Sequence, residues 1–150
     1  MKALKWFLSA LYFSLLTYIV FFARRREQLV WHDDFLNLVP FVHTIQGYHQ
    51  LHYMPPRGQW DFFTNLFGNV VLFMPLPFIL IVLFRITNKY TIILLGAGLS
   101  IAIELTQYIF QIGIPDIDDV LLNTGGVVAG LVCWLVIFRV KFLRRVMFAY

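Results

Sequence analysis

Apolar residues gather into four stretches along this chain, and inside three of them the few polar residues gather at one end. Leu66 to Phe84, Tyr90 to Ile112 and Val120 to Phe138 each reach the ~20 residues that cross a bilayer as a helix. Trp6 to Phe22 is a fourth stretch whose ~17 residues, about 26 Å of helix, span with help from flanking bases that snorkel to the interface. Only Gly113 to Asp119 joins the last two, so they are antiparallel neighbours. With all four spanning, the start of the second, the end of the third and the start of the fourth share one membrane face. Asn65 and Asn69 open the second stretch, Glu104, Gln107 and Gln111 lie late in the third, and Asp116, Asp118, Asp119 and Asn123 open the fourth. At ~1.5 Å per residue, Asn69, Gln107 and Asn123 lie ~5–8 Å below that face and Glu104 ~12 Å below it.

The spacing strengthens this convergence. Ser100, Glu104, Gln107 and Gln111 follow one another at helical intervals and form one stripe, while Asn65 with Asn69 and Asp119 with Asn123 are one turn apart. Gly126 and Gly130 make a small face on the last helix that lets another backbone approach closely, and Gly96 with Ser100 makes a weaker one. Pro75 and Pro77 predict a kink within the second stretch. Between the first and second spans, residues 23–64 form the one sizeable region outside the membrane. There Trp31, Phe35 and Leu38 predict a short interfacial helix stopped by Pro40, and Gly47 to Trp60, with Pro55, Pro56 and Gly58, predicts a loop.

Composition agrees with a membrane protein. The chain has 150 residues, 60% of them hydrophobic and 13% charged, too apolar for an ordinary soluble domain. The expected fold is an all-α integral membrane protein, one membrane domain over residues 1–150, with about four transmembrane helices and an interfacial segment between the first and second. Phe21, Phe22 and Ala23 make no signal-cleavage site, so the first helix reads as retained. Of the twelve basic residues, Lys2, Lys5, Arg85, Lys89, Arg139, Lys141, Arg144 and Arg145 fall on the side of the termini, and Arg24, Arg25, Arg26 and Arg57 on the other. This bias favours cytoplasmic termini and an outward-facing polar site, although Arg24 to Arg26 directly after the first span pull the other way. The net charge of +4 comes from these bases, which serve topology and anionic lipid and imply no nucleic acid. The single cysteine, Cys133, forms neither a disulfide within the chain nor a metal cluster.

The polar constellation admits two readings. In the first, Asn65, Asn69, Gln107, Asp116, Asp119 and Asn123 bind a substrate, and Glu104 serves as acid or base. In the second, the same groups bond one another and fix helix register, since amide bonds between membrane helices contribute ~0.6 kcal/mol on average and need no further role. Glu104 favours the first, because a charged acid that deep costs ~2.5 kcal/mol or more on insertion scales. Desolvation would instead leave it neutral and able to donate to Gln107 or Asn69. The run Asp116 to Asp119 can bind a cation, and the same acids before a helix also cap it. His43, His49 and His52 match no ligand motif, so no metal site is assigned. No serine, cysteine or histidine stands at a spacing that marks a nucleophile with its base.

At these residues the chain resembles the VanZ-like family of membrane proteins. The segments that carry the resemblance are N-L-V-P-F at 37–41, N-L-F-G-N-V-V-L-F-M-P at 65–75, I-E-L-T-Q at 103–107 and D-I-D-D-V-L-L-N-T-G-G at 116–126. The resemblance implies an all-helical membrane protein and, for the family's namesake, protection against a lipid-tailed, teicoplanin-type glycopeptide acting on the outer cell envelope. It brings no defined reaction and no cofactor. Two positions depart from the family pattern: Gly113 stands where an arginine is usual, and Pro77 where a glycine is common. If that arginine balances the acids, this chain needs another base, such as Arg57. The expected function is therefore lipoglycopeptide resistance or the handling of an envelope lipid, with membrane lipid, a lipoglycopeptide or a lipid-linked precursor as partner. One rival is a membrane enzyme that modifies a lipid-linked or lipid-headgroup substrate through Glu104 and the aspartates. The other is an accessory subunit packed on a partner helix through Gly126 and Gly130.

Overall fold

The computed structural model describes residues 2–23, 37–113 and 115–139. Trp31 and Phe35 of the expected interfacial helix, and the bases Arg24 to Arg26, Lys141, Arg144 and Arg145, lie outside the described residues. The protein is all-α, with four helical segments long and apolar enough to cross a membrane: Ala3–Phe22, Pro56–Val82, Lys89–Ile109 and Ile117–Phe138. Its elements are α1 (Lys2–Tyr18, continued by a π turn over Ile19–Ala23), α2 (Val42–Gln50, continued by a 3₁₀ turn over Leu51–Tyr53), α3 (Pro56–Phe73), α4 (Leu76–Val82), α5 (Lys89–Ile109) and α6 (Ile117–Arg139).

Most of the segment expected as loop is helical. Pro55 and Pro56 start a helix rather than break one: Pro55 is extended at the N-cap of α3 and Pro56 takes its first position, where a missing N–H and a fixed φ cost nothing. The helix therefore begins well before the apolar stretch, and hydropathy misses its first turns because Arg57, Gln59, Asp61 and Asn65 interrupt the apolar run. A separate short helix, α2, follows Pro40. Gly47 brings it onto α3, since a Cβ at that position would lie 2.7 Å from the ring of Phe62.

The expected kink separates α3 from α4. Pro75 and Pro77 offer no N–H to Val71 and Phe73, so the helix stops at Phe73 and restarts at Leu76. Near this break the hydroxyl of Tyr12 in α1 donates to the carbonyl of Leu72 at 3.1 Å.

The last helix is the centre of the bundle, packed against α3 and α4 on one side and α5 on the other. A Cβ on Gly126 would lie 2.3 Å from the carbonyl oxygen of Val70, and one on Gly130 would lie 2.2 Å from that of Met74. The small face thus receives the backbone of α3 and α4 from the same chain, and an accessory-subunit role would need another surface. Gly96 of α5 meets Val127 of α6 equally closely, with 2.4 Å from its ideal Cβ to Cγ2. Phe73, Ile92 and Val127 are fully buried where these helices meet. In lipid such contacts stabilise by close packing rather than by removal of apolar surface from water. Leu94, Ile109 and Val136 lie exposed on the outside of the bundle, as lipid-facing residues do.

Candidate functional site

The polar ends of α3, α5 and α6 meet as the pattern requires, and the start of α6 organises them. Asp116 is its N-cap: Oδ1 accepts from the Asp118 N–H at 2.9 Å, and the Asp116 carbonyl accepts from Asp119 and Val120 at 3.2 and 3.4 Å. Two further elements hold this turn. The backbone of Asn37 pairs with it as a parallel bridge, donating to the Pro115 carbonyl at 3.2 Å and accepting from Ile117 at 3.0 Å, while its side-chain amide donates to Asp116 Oδ1 at 2.7 Å. From α5, Glu104 Oε2 accepts the Asp116 N–H at 3.1 Å. Glu104 is only 8% exposed, and this bond assigns the deep carboxylate a structural partner.

Each aspartate of the run has a separate task. Asp118, 3% exposed, reaches across to α2 and accepts from the Thr44 hydroxyl at 2.7 Å, from the Thr44 N–H at 3.2 Å and from the Phe41 N–H. Phe41 occupies the N-cap of α2 with φ 65° and has no side-chain acceptor, so the carboxylate of another helix satisfies the orphan donors. Asp119 turns the other way: its Oδ1 accepts from Asn69 at 2.6 Å and, more loosely, from Asn65 at 3.4 Å. Asp116 Oδ2 lies 3.1 Å from His43 Nδ1 at the exposed rim, where the imidazole is about half exposed.

The structure thus brings Asn69, Glu104, Asp116 and Asp119 together, with Asn65 exposed at the edge. Gln107 and Asn123 stand apart. Gln107 is buried with its amide 3.4 Å from the Val20 carbonyl, in the π turn that ends α1, so it ties the first span to the third. Asn123 lies deeper and donates to Ser100 Oγ at 2.8 Å, and its Oδ1 is buried with no hydrogen-bond partner among the described residues. Gln111 leaves the expected stripe because α5 ends first: it takes a left-handed φ of 52°, and N–H bonds from Gln111 to Tyr108 and from Ile112 to Gln107 close the helix in a Schellman motif. Gly113 is buried, so the turn where the family arginine was expected is not water-exposed at this residue, and Arg57 is exposed in the first turn of α3.

Sequence reasoning missed three members of this node. Asn37 lies in a family motif that gives it no role, His43 suggests a metal ligand rather than the partner of a carboxylate, and nothing in the sequence marks Thr44. The sequence offers the Asp116 to Asp119 run either cation binding or the capping of its own helix, and Asp118 caps a different helix, α2. Among the described residues no group of three or more His, Cys, Asp or Glu side chains is arranged to hold a metal ion.

The VanZ/LLP1 family matches residues 8–139. Protein VanZ of Enterococcus faecium is 33% identical over 130 residues, which cover 83% of this chain and 69% of that protein. No solved structure shows a significant match. The motifs that carried the resemblance are those that build the node, Asn37 and Asn69, Glu104, and Asp116 to Asp119, and the chain belongs to the VanZ/LLP1 family.

Proposed function

We propose that this multi-pass membrane protein protects the cell against lipid-tailed glycopeptides of the teicoplanin type, acting at the outer membrane face through the node around Asp116, Asp119, Glu104 and Asn69. The observation that carries the reading is the layering of that node. Asp118, Asp119, Glu104 and Asn69 are buried and fixed by bonds from three elements, while Asp116 and His43 stand at the rim. A rim held by so many buried bonds is preorganised for a polar ligand at the membrane surface. The resemblance to the VanZ-like family supplies the antibiotic class, and the excess of bases on the side of the termini favours termini in the cytoplasm.

The test is growth. Expression in a susceptible Gram-positive host should raise the inhibitory concentration of teicoplanin and leave that of a glycopeptide without a lipid tail unchanged, and Asp119→Leu should abolish the difference. Equal sensitivity of host and expressing strain would remove the proposal.

One observation favours a second reading, a membrane enzyme acting on a lipid headgroup. His43 is oriented through Nδ1 by a carboxylate and half exposed, which is how a general base is held. Turnover of a headgroup substrate by purified protein, lost in His43→Ala, would select it over simple binding.

A further inference from the structure

The end of α2 opposite the polar node borders a cavity of about 490 Å³, within the range of small-molecule sites. Nine residues of helix separate the two by ~13 Å, so this is a distinct place. Tyr48, His49, Leu51 and His52 form one wall, and Gln59 and Phe63 of α3 form the other. The walls are locked together. Gln59 Nε2 donates to the carbonyls of Leu51 and Met54, both at 3.1 Å, and Gly47 seats α2 on Phe62. Asp118 fixes the far end of α2.

The lining is chemically one-sided. It offers two imidazoles and a phenol as hydrogen-bond donors, and among the described residues it contains no carboxylate. Asp61, the acid closest in sequence, follows Gln59 and precedes Phe63 by two positions each, which turns it to the other side of α3. The N-terminus of α3 lies at this rim without a side-chain cap, and its dipole favours an anion. Below the polar rim the surface is aromatic. Phe63 and Phe67 are stacked one turn apart, ring centroids 6.2 Å and planes 14° from parallel, and both are exposed where α3 enters the membrane.

Donors above and a stacked apolar strip below match an amphiphile with a negative head. We propose that this cleft binds an anionic phospholipid, its phosphate held by His49, His52 and Tyr48 and an acyl chain laid along Phe63 and Phe67. The inference is independent of the resistance reading, which rests on the polar node.

The experiment is native mass spectrometry of the purified full chain in detergent, titrated with phosphatidylglycerol or phosphatidylcholine. The wild type should retain phosphatidylglycerol more tightly than phosphatidylcholine. His49→Ala with His52→Ala should weaken phosphatidylglycerol about a hundredfold, the loss expected when two hydrogen bonds to a charged group disappear. Phe63→Ala with Phe67→Ala, on the lipid-facing surface, should weaken long-chain but not short-chain phosphatidylglycerol, and keeps the test valid if the histidine pair disturbs folding. Equal retention of the two lipids, or wild-type retention of phosphatidylglycerol by both paired variants, would overturn the proposal. So would competition by inorganic phosphate as effective as that by the lipid, which would mark a site for free anions.

Discussion

The Asp118 carboxylate caps a helix that is not its own, by accepting both the N–H and the hydroxyl of Thr44. The first turn of α6 thereby determines where α2 begins. Asp118→Ala should cost about 1–2 kcal/mol, the value of a helix cap, with a further penalty for the donors it strands. Hydrogen exchange should show the loss locally, with faster exchange at residues 42–50 and unchanged protection in α5 and the second half of α6.

Asn69 and Asp119 should behave as one unit. Their bond crosses between α3 and α6 and is buried, so removing either partner takes a buried hydrogen bond from the other. A double-mutant cycle of Asn69→Ala and Asp119→Ala, read by denaturant unfolding in micelles, should give a coupling energy of about 1–2 kcal/mol. Additive losses would mean that the two groups find other partners.

Two glycines on α6 should respond with opposite signs. Gly130→Ala places a methyl group against the Met74 carbonyl and should cost about 1–3 kcal/mol through overpacking. Gly125 faces open space, so Gly125→Ala should stabilise by about 0.5–1 kcal/mol through helix propensity. Thermal melts of the two variants, run in the same detergent, decide it.

Glu104→Gln keeps an acceptor for the Asp116 N–H and removes the titratable proton. Stability should stay within about 0.5 kcal/mol of the wild type if this bond is what holds the side chain, and fall further if the charge of the carboxylate contributes. Resistance should fall if the carboxylate itself serves function. Full resistance at matched protein levels would leave Glu104 as a strut between α5 and α6.

Orientation is open to direct labelling. Arg57→Cys lies in the first turn of α3 and Thr87→Cys in the link from α4 to α5, at opposite ends of one span. An impermeant thiol reagent applied to intact cells should modify the first and spare the second. The reverse pattern would turn the polar node inward.

Much of this architecture is legible in the chain because lipid enforces a simple code. Four apolar runs announce four helices, and Asn65, Asn69 and Asp119 converge because antiparallel spans put their ends on one face. The same code is silent where it meets water. In α2 and the first turns of α3, polar residues obscure the helical period, and Pro55 with Pro56 marks a start as readily as a break. Periodicity also shows that a face is buried without naming its partner. Gln107 shares a helix with Glu104, yet it contacts Val20 of α1, and nothing local to either residue records that pairing. Asp118 is the clearest case, for its partners lie 74 and 77 positions away.

The central position of α6 sets an order for assembly. Asn69 and Glu104 emerge from the ribosome on helices that precede it, and both form bonds to its first turn. Until that helix arrives, the amide and the carboxylate lack the bonds it gives them, and polar groups short of partners are costly in hydrocarbon. The earlier spans must therefore wait, held at the insertion machinery or shielded by one another. A nascent chain arrested before Ile117 should accordingly be a substrate for membrane quality control.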